Sequence, residues 1–98
     1  MAVIVTTTMA GPTLEQYDAV NAAIGTRGDP PEGLIVHTGA MVDGTLQVLD
    51  IWDSREHAET FHEGRLHSAL VEVLGEETLA AGPAPSRAYV EVHDIIAP

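Results

Sequence analysis

The stretch HTGAMVDGTLQVLDIW, residues 37–52, has the pattern of a β-hairpin. Two apolar runs are joined at Asp43-Gly44, a pair that favours a two-residue type I′ turn because Asp and Gly tolerate positive φ. Such a turn pairs Val42 with Thr45, and each step away from the turn pairs the next residue on either strand. The turn therefore fixes the cross-strand neighbours of the whole hairpin.

This register predicts that three chemically useful side chains share one face of the sheet. His37 faces Asp50 across the hairpin, and Trp52 lies two residues farther along the same face. A carboxylate fixes the tautomer of a neighbouring imidazole and favours its protonated form, which suits a general base or acid, while an indole offers a flat wall to an aromatic ligand. We predict that His37 and Asp50 are catalytic and that Trp52 binds substrate. The alternative is that His37 and Asp50 only satisfy each other's hydrogen bonds in a partly buried sheet.

The segments on either side of the hairpin predict an alternating order of strands and helices. Apolar residues recur at helical spacing after Thr13 and again after Asp53, where Glu56 completes a capping-box pattern, and Gly64 is a candidate kink in the second helical region. The predicted elements are a strand over 2–9, a helix over 13–25, a loop over 26–33, strands over 34–42 and 45–52, a helical region from 53 to about 74, a mobile connection over 75–87 and a last strand over 88–96.

The order βαββαβ is that of a ferredoxin-like α+β fold, in which both helical regions cover one face of a four-stranded antiparallel sheet. In the hairpin, however, the alternating residues that point to either face of the sheet are apolar. The face that the helices do not cover must therefore also be shielded from water. We therefore predict a homodimer formed through that face, although a semi-exposed face in a small protein is the alternative. The two alternations are Val36, Ala40, Val42, Leu49 and Ile51 on one face, and Ile35, Met41, Leu46, Val48 and Trp52 on the other.

Composition narrows the class of partner. The 98 residues suit one domain, and 4 Lys and Arg against 15 Asp and Glu give a net charge of -11. This acidic balance disfavours nucleic acid and anionic membranes, and the absence of cysteine excludes disulfides and thiolate chemistry. The N-terminal apolar run is too short for a signal peptide, so we expect a cytoplasmic protein. The predicted partner is a small molecule or a second protein.

Fewer signals support other site residues. His62 lies on the apolar stripe of the second helical region and could point into a cavity, although core packing explains it as well. Tyr17 and Tyr89 could line a pocket through their hydroxyls. His57, His62 and His67 are five residues apart, which does not place pairs of them on one helical face, so no metal site is predicted.

The segment GLIVHTGAMVDGTLQVLDIWDSREHAETFHEGRLHSALVEV, residues 33–73, resembles the dimeric α/β-barrel proteins related to antibiotic biosynthesis monooxygenases. The shared pattern is a G-x-x-x-H strand, a D-G turn, a strand ending in D-x-W-[DE]-S and a helix beginning R-E, as found in small actinobacterial members. With the first and last strands the resemblance covers nearly the whole chain, residues 1–98. It implies a single antibiotic biosynthesis monooxygenase-like domain.

The resemblance also implies a range of activities. The superfamily includes cofactor-free monooxygenases of polycyclic aromatic ketides, haem-degrading enzymes, polyketide cyclases, lactone isomerases and proteins with no known activity. Trp52 matches the tryptophan of several monooxygenase-like members, whereas the asparagine typical of the haem-degrading branch is replaced by threonines in the first strand. We expect a hydrophobic, aromatic or polyketide-like ligand and no cofactor, with His37 drawing a proton from an acidic phenol or enol. The same pair suits a cyclase or isomerase, and a non-catalytic binding module is the alternative from another class.

Overall fold

A tight turn at Asp43 and Gly44 anchors the sheet. Both residues have positive φ, 49° and 78°, as the predicted turn requires. The turn joins β2 (Leu34–Val42) to β3 (Thr45–Trp52) and pairs Val42 with Thr45. A computed structural model describes residues 1–82 and 84–98 of the chain.

The four strands form one antiparallel sheet in the order β2-β3-β1-β4. β1 (Val3–Ala10) lies in the middle, between β3 and β4 (Ser86–Glu91). Helices from both halves of the chain pack on the same face, so the predicted ferredoxin-like α+β fold is confirmed.

A β-bulge interrupts the hairpin near the start of β2. The register shifts between Leu34 and Val36, so Leu34 pairs with Trp52, and Ile35 is 45% exposed. The prediction that Ile35 shares the face of Trp52 is therefore wrong. An inserted residue of this kind leaves the pairing on its turn side unchanged, which is why His37 still faces Asp50.

The first helix, α1 (Leu14–Ile24), has a signal at each end. The Thr13 hydroxyl accepts from the Gln16 N–H, and the Gln16 side chain accepts from the Thr13 N–H, which completes a capping box. Gly25 ends the helix with φ 75°, a left-handed conformation that glycine adopts without strain.

The second helical region consists of α2 (Arg55–Phe61), a π-helical segment (His62–Leu66) and α3 (His67–Leu74). The predicted kink at Gly64 falls inside the π-helical segment. The predicted N-cap, Asp53, is wrong: Ser54 caps α2 by accepting from the His57 N–H. The Asp53 carboxylate instead bonds the His57 ring at 2.5 Å, which raises the pKa of His57 and lowers that of Asp53.

The connection after α3 is more regular than predicted. Residues Glu76–Ala81 form a short helix, α4, where a mobile segment was expected, because EETLAA consists mainly of good helix formers with an acidic first turn. The last strand covers Ser86–Glu91 rather than 88–96, since Ser86 and Arg87 already pair with β1. Beyond it, the Val92 N–H still donates to the Ala2 carbonyl.

The hydrophobic core is concentrated at one end of the sheet. Val3, Val5 and Trp52 from the strands pack with Ala58 of α2, and Trp52 is fully buried. Truncation of such a ring to alanine costs about 3–5 kcal/mol. No residue of α1 is buried, so the other end of the interface between helices and sheet is hollow.

The opposite sheet face is apolar and uncovered. Val36, Val42, Leu49 and Val90 are 41%, 44%, 40% and 58% exposed. These side chains come from β2, β3 and β4, so the exposed apolar surface extends across the sheet.

Candidate active site

The hollow end of the fold is a cavity of about 870 Å³ between the helices and the sheet. The sheet provides its floor, while α1, the π-helical segment, α3 and α4 provide its walls. Most of the lining is apolar, and Leu46, Val48, Leu70, Leu74 and Leu79 contribute to it. A mainly apolar cavity with a few convergent polar groups is the usual form of a small-molecule site.

His37 and Asp50 are neighbours across the hairpin, as the register predicts. Nδ1 of His37 lies 2.6 Å from Oδ1 of Asp50, and both residues line the cavity. The side chain of Asp50 is 7% exposed and that of His37 is 29% exposed. The carboxylate is thus enclosed, while the imidazole reaches the cavity surface.

Tyr17 extends this pair into a chain of three groups. Its hydroxyl lies 2.6 Å from Nε2 of His37, and the two rings are nearly parallel. A carboxylate only accepts hydrogen bonds, so Nδ1–H of His37 donates to Asp50, and in the neutral imidazole Nε2 accepts from the Tyr17 O–H. Both ring nitrogens of His37 are occupied, which leaves Tyr17 as the group at the cavity end of the chain.

Gly39 makes room for Tyr17. A Cβ at this position would overlap the hydroxyl and the ring of Tyr17. Gly39 and His37 are two residues apart on β2 and lie on the same face. The absence of a side chain at Gly39 therefore lets Tyr17 reach His37 from α1.

Trp52 lines the cavity beside the core. Its ring contacts Phe61, with centroids 5.1 Å apart, and the edge of His62. Within the described residues, its indole Nε1 is the buried side-chain polar atom that has no hydrogen-bond partner. An unpaired buried donor costs about 1–3 kcal/mol, and because Trp52 is fully buried, this N–H lies beneath the cavity surface rather than on it.

His62 also reaches the cavity, from the π-helical segment. Its Nδ1 lies 3.2 Å from the Tyr89 hydroxyl. Burial, reinforced by nearby Arg87 and opposed by Asp50, lowers the pKa of His62 to about 4. The ring is therefore neutral at physiological pH. Single-turn π-helical segments of this kind occur often at functional sites.

Arg87 and Thr7 line the cavity but are not among the predicted site residues. Arg87 Nε donates to the Thr7 hydroxyl at 3.3 Å. Arg87 belonged to the predicted connection, so its place in β4 was not expected. The signal that could have found it is the two-residue spacing to Tyr89, which puts both side chains on the same sheet face.

The described residues contain no group of three or more His, Cys, Asp and Glu side chains arranged to hold a metal ion. No helix in the described part of the chain combines the length and the hydropathy that a membrane span needs.

Solved structures share this fold at low sequence identity, and no protein-family model matches the sequence. A protein provisionally assigned as an antibiotic biosynthesis monooxygenase, from Caulobacter crescentus, is 17% identical with a TM-score of 0.69 over 95% of this chain and 91% of that chain. A dimeric ferredoxin-like protein from an uncultured marine organism is 16% identical, with a TM-score of 0.66 over 99% and 93% of the two chains. The heme degrader MhuD from Mycobacterium tuberculosis, which holds two hemes in its active site, is 15% identical with a TM-score of 0.64 over 97% and 99%. The predicted resemblance is thus confirmed at the level of the fold.

Proposed function

We propose that this protein binds a hydrophobic aromatic small molecule in the cavity and removes a proton from it. The observation that carries the proposal is the hydrogen-bonded chain Tyr17–His37–Asp50, which runs from an apolar cavity to an enclosed carboxylate. An apolar cavity favours an aromatic or polyketide-like ligand over a sugar or a phosphate ester.

In the proposed reaction, the proton leaves a phenol, an enol or a carbon beside a carbonyl. The Tyr17 oxygen receives it while the Tyr17 proton moves to Nε2 of His37. The imidazolium that forms is stabilised by the Asp50 carboxylate through Nδ1–H. His37 thus holds the proton, although Tyr17 is the group that contacts the substrate. This differs from direct abstraction by His37, because Nε2 already accepts from Tyr17.

The leading activity is a monooxygenase without cofactor. The carbanion-like substrate transfers electrons to dioxygen, and a carbon–oxygen bond forms between the two. The proton then returns from His37 to the terminal oxygen, which gives a hydroperoxide. Loss of water from the hydroperoxide then leaves a carbonyl at the carbon that was a CH₂ group in the substrate. One oxygen atom of dioxygen is in the product and the other is in water. The fold shared with a protein provisionally assigned as an antibiotic biosynthesis monooxygenase is consistent with this activity. Haem is not proposed as the ligand, because β1 carries no asparagine.

The proposed functional unit is a homodimer joined through the uncovered sheet face. The exposed apolar side chains of β2, β3 and β4 support it, since a surface of this kind is otherwise in contact with water. A structure of the same fold is a dimeric ferredoxin-like protein.

The alternative reaction is a polyketide cyclisation or isomerisation, which needs the same proton removal beside a carbonyl but no oxygen. A non-catalytic ligand-binding module remains the alternative from a different class. Oxygen consumption and product analysis separate these three possibilities.

The test uses a panel of aromatic ketones and hydroxyquinones with the wild-type protein, Tyr17→Phe and His37→Gln. We expect an oxidised ketone product and stoichiometric oxygen uptake, both reduced by a factor of about 10²–10⁴ in either variant, the usual contribution of general acid–base catalysis. A cyclised or isomerised product without oxygen uptake would select the alternative reaction. Binding without any turnover would select the binding module, and absence of binding across the panel would overturn the proposal.

A further inference from the structure

One row of residues crosses the cavity floor from edge to edge. The strand register aligns Gly39 of β2, Val48 of β3, Thr7 of β1 and Arg87 of β4. Tyr17 lies against Gly39 at one end of the row, and Arg87 provides a cation at the other. Three inter-strand steps separate the two ends, which is about 14 Å between backbones.

The middle of this row is uncharged. Val48 offers an apolar surface, and the Thr7 hydroxyl accepts from Arg87 Nε. Since Arg87 Nε lies 3.3 Å from the Thr7 hydroxyl on the neighbouring strand, the Arg87 side chain extends from β4 toward the middle of the row. A flat body of two or three fused rings matches such a floor.

The charge of Arg87 is not neutralised by a carboxylate of the described residues. The chain has 15 Asp and Glu residues, yet within residues 1–82 and 84–98 no carboxylate forms an ion pair with Arg87. Of the other arginines, Arg55 and Arg65 pair with carboxylates, whereas Arg27, which does not line the cavity, has no ion pair among the described residues either. The side chain of Arg87 makes one hydrogen bond to the described residues, through Nε, so the two terminal nitrogens of the guanidinium can bind a carboxylate in a bidentate manner.

Two acidic groups also line the cavity, and neither forms an ion pair with Arg87. Asp50 is in the neighbouring row and is engaged with His37, and Glu76 belongs to α4. His62, the titratable group whose charge responds to Arg87, is neutral and therefore does not compete for an anion. Arg87 is thus a suitable counter-ion for a negatively charged group on a ligand.

We propose that the ligand is a fused-ring aromatic hydroxy acid that lies across β3 and β1, with its hydroxyl on Tyr17 and its carboxylate on Arg87. This inference rests on the proposed function, to which it adds the substrate class. It assigns Arg87 the role of a specificity-determining residue that contacts the end of the ligand remote from the reacting proton.

The experiment compares 6-hydroxy-2-naphthoate with its uncharged methyl ester by isothermal titration calorimetry. The proteins are the wild type, Arg87→Gln, which removes the charge, and Arg87→Lys, which keeps it. We expect the wild type to bind the acid at least about tenfold more tightly than the ester, a difference of about 1.4 kcal/mol. Arg87→Gln should abolish this preference without changing the affinity for the ester, and Arg87→Lys should restore part of it.

The possible outcomes separate this inference from the proposed function. If acid and ester bind equally well, and Arg87→Gln changes neither, the role of Arg87 is refuted while the aromatic-binding cavity stands. If neither compound binds the wild type, both proposals fail together. If Arg87→Gln weakens acid and ester alike, Arg87 supports the cavity walls rather than recognising an anion, and the inference is again refuted.

Discussion

The Tyr17 hydroxyl lies 2.6 Å from Nε2 of His37, whose Nδ1 lies 2.6 Å from Asp50. A tyrosine on α1 is thereby joined to two residues of the hairpin. The contact couples the position of α1 on the sheet to the orientation of the imidazole.

Tyr17→Phe should remove the hydroxyl that we propose receives the substrate proton and should keep the ring. Turnover should fall by about 10²–10⁴, whereas the free energy of unfolding should fall by only about 1 kcal/mol, the usual net value of one hydrogen bond. Kinetics and thermal unfolding of the same preparation measure both. Tyr89→Phe is the matched control, since it removes the hydroxyl that bonds His62. Equal losses of turnover in the two variants would contradict a special role for Tyr17.

Gly39→Ala should impair the site without removing any polar group. The added methyl would overlap Tyr17 and displace its hydroxyl from His37, so turnover should fall toward that of Tyr17→Phe. Gly28→Ala is the control, because its Cβ would meet open space and its φ is not in the left-handed region. Wild-type turnover in Gly39→Ala would show that the contact between Tyr17 and His37 is dispensable.

Leu49→Lys should dissociate the proposed dimer. A lysine buried at the centre of the uncovered sheet face leaves an unpaired charge, so the dimer dissociation constant should rise by more than about tenfold. Light scattering coupled to size-exclusion chromatography measures the mass. Leu14→Lys is the control, because Leu14 is exposed on α1, away from that face. A monomeric wild type at micromolar concentration would refute the dimer itself.

The low pKa of His62 predicts that the protein loses stability in acid. Its pKa is about 4 in the folded protein and about 6.5 when unfolded, so below pH 6.5 the unfolded state binds a proton that the folded state does not. The contribution of neutral His62 is complete above pH 6.5 and is lost as the pH falls toward 4. The drop in Tm from pH 7.5 to pH 4.5 should be smaller in His62→Gln than in the wild type. His93→Gln, at an exposed histidine outside the sheet, should leave that drop nearly unchanged; equal effects of the two variants would contradict the assignment.

The hairpin could be predicted because its determinants are local. Asp43-Gly44 sets the turn, the turn sets the register, and the register brings His37 to Asp50. The bulge at Ile35 lies beyond the reach of the turn and has no comparable sequence signal. Pairing predicts which residues are neighbours, but their catalytic role is a proposal that depends on the chemistry of the site.

The helical half of the site was harder to predict because it depends on tertiary contacts. The sequence predicts Tyr17 as a substrate-binding residue but not its contact with His37, since nothing in α1 alone shows that its hydroxyl reaches β2 past Gly39. The π-helical segment could not be predicted for a similar reason, because packing over the cavity rather than periodicity determines it. The short helix α4 has a local signal in the helix formers of EETLAA, but six residues are too few to show a helical periodicity. The sequence does not predict a strand at Arg87, because the proline and glycine residues at 82–85 favour a loop that continues through it.

The central claim is that Tyr17, His37 and Asp50 accept a proton from a bound ligand. The most direct measurement is the absorbance spectrum of a hydroxyquinone bound to the wild type, His37→Gln and Asp50→Asn, at a pH where the free compound is un-ionised. We expect the wild type to shift the spectrum to the ionised form, Asp50→Asn to shift it partly, and His37→Gln to bind the compound without ionising it. Identical bound spectra in all three proteins, together with a similar loss of Tm in the two variants, would contradict the claim and assign His37 and Asp50 a structural role.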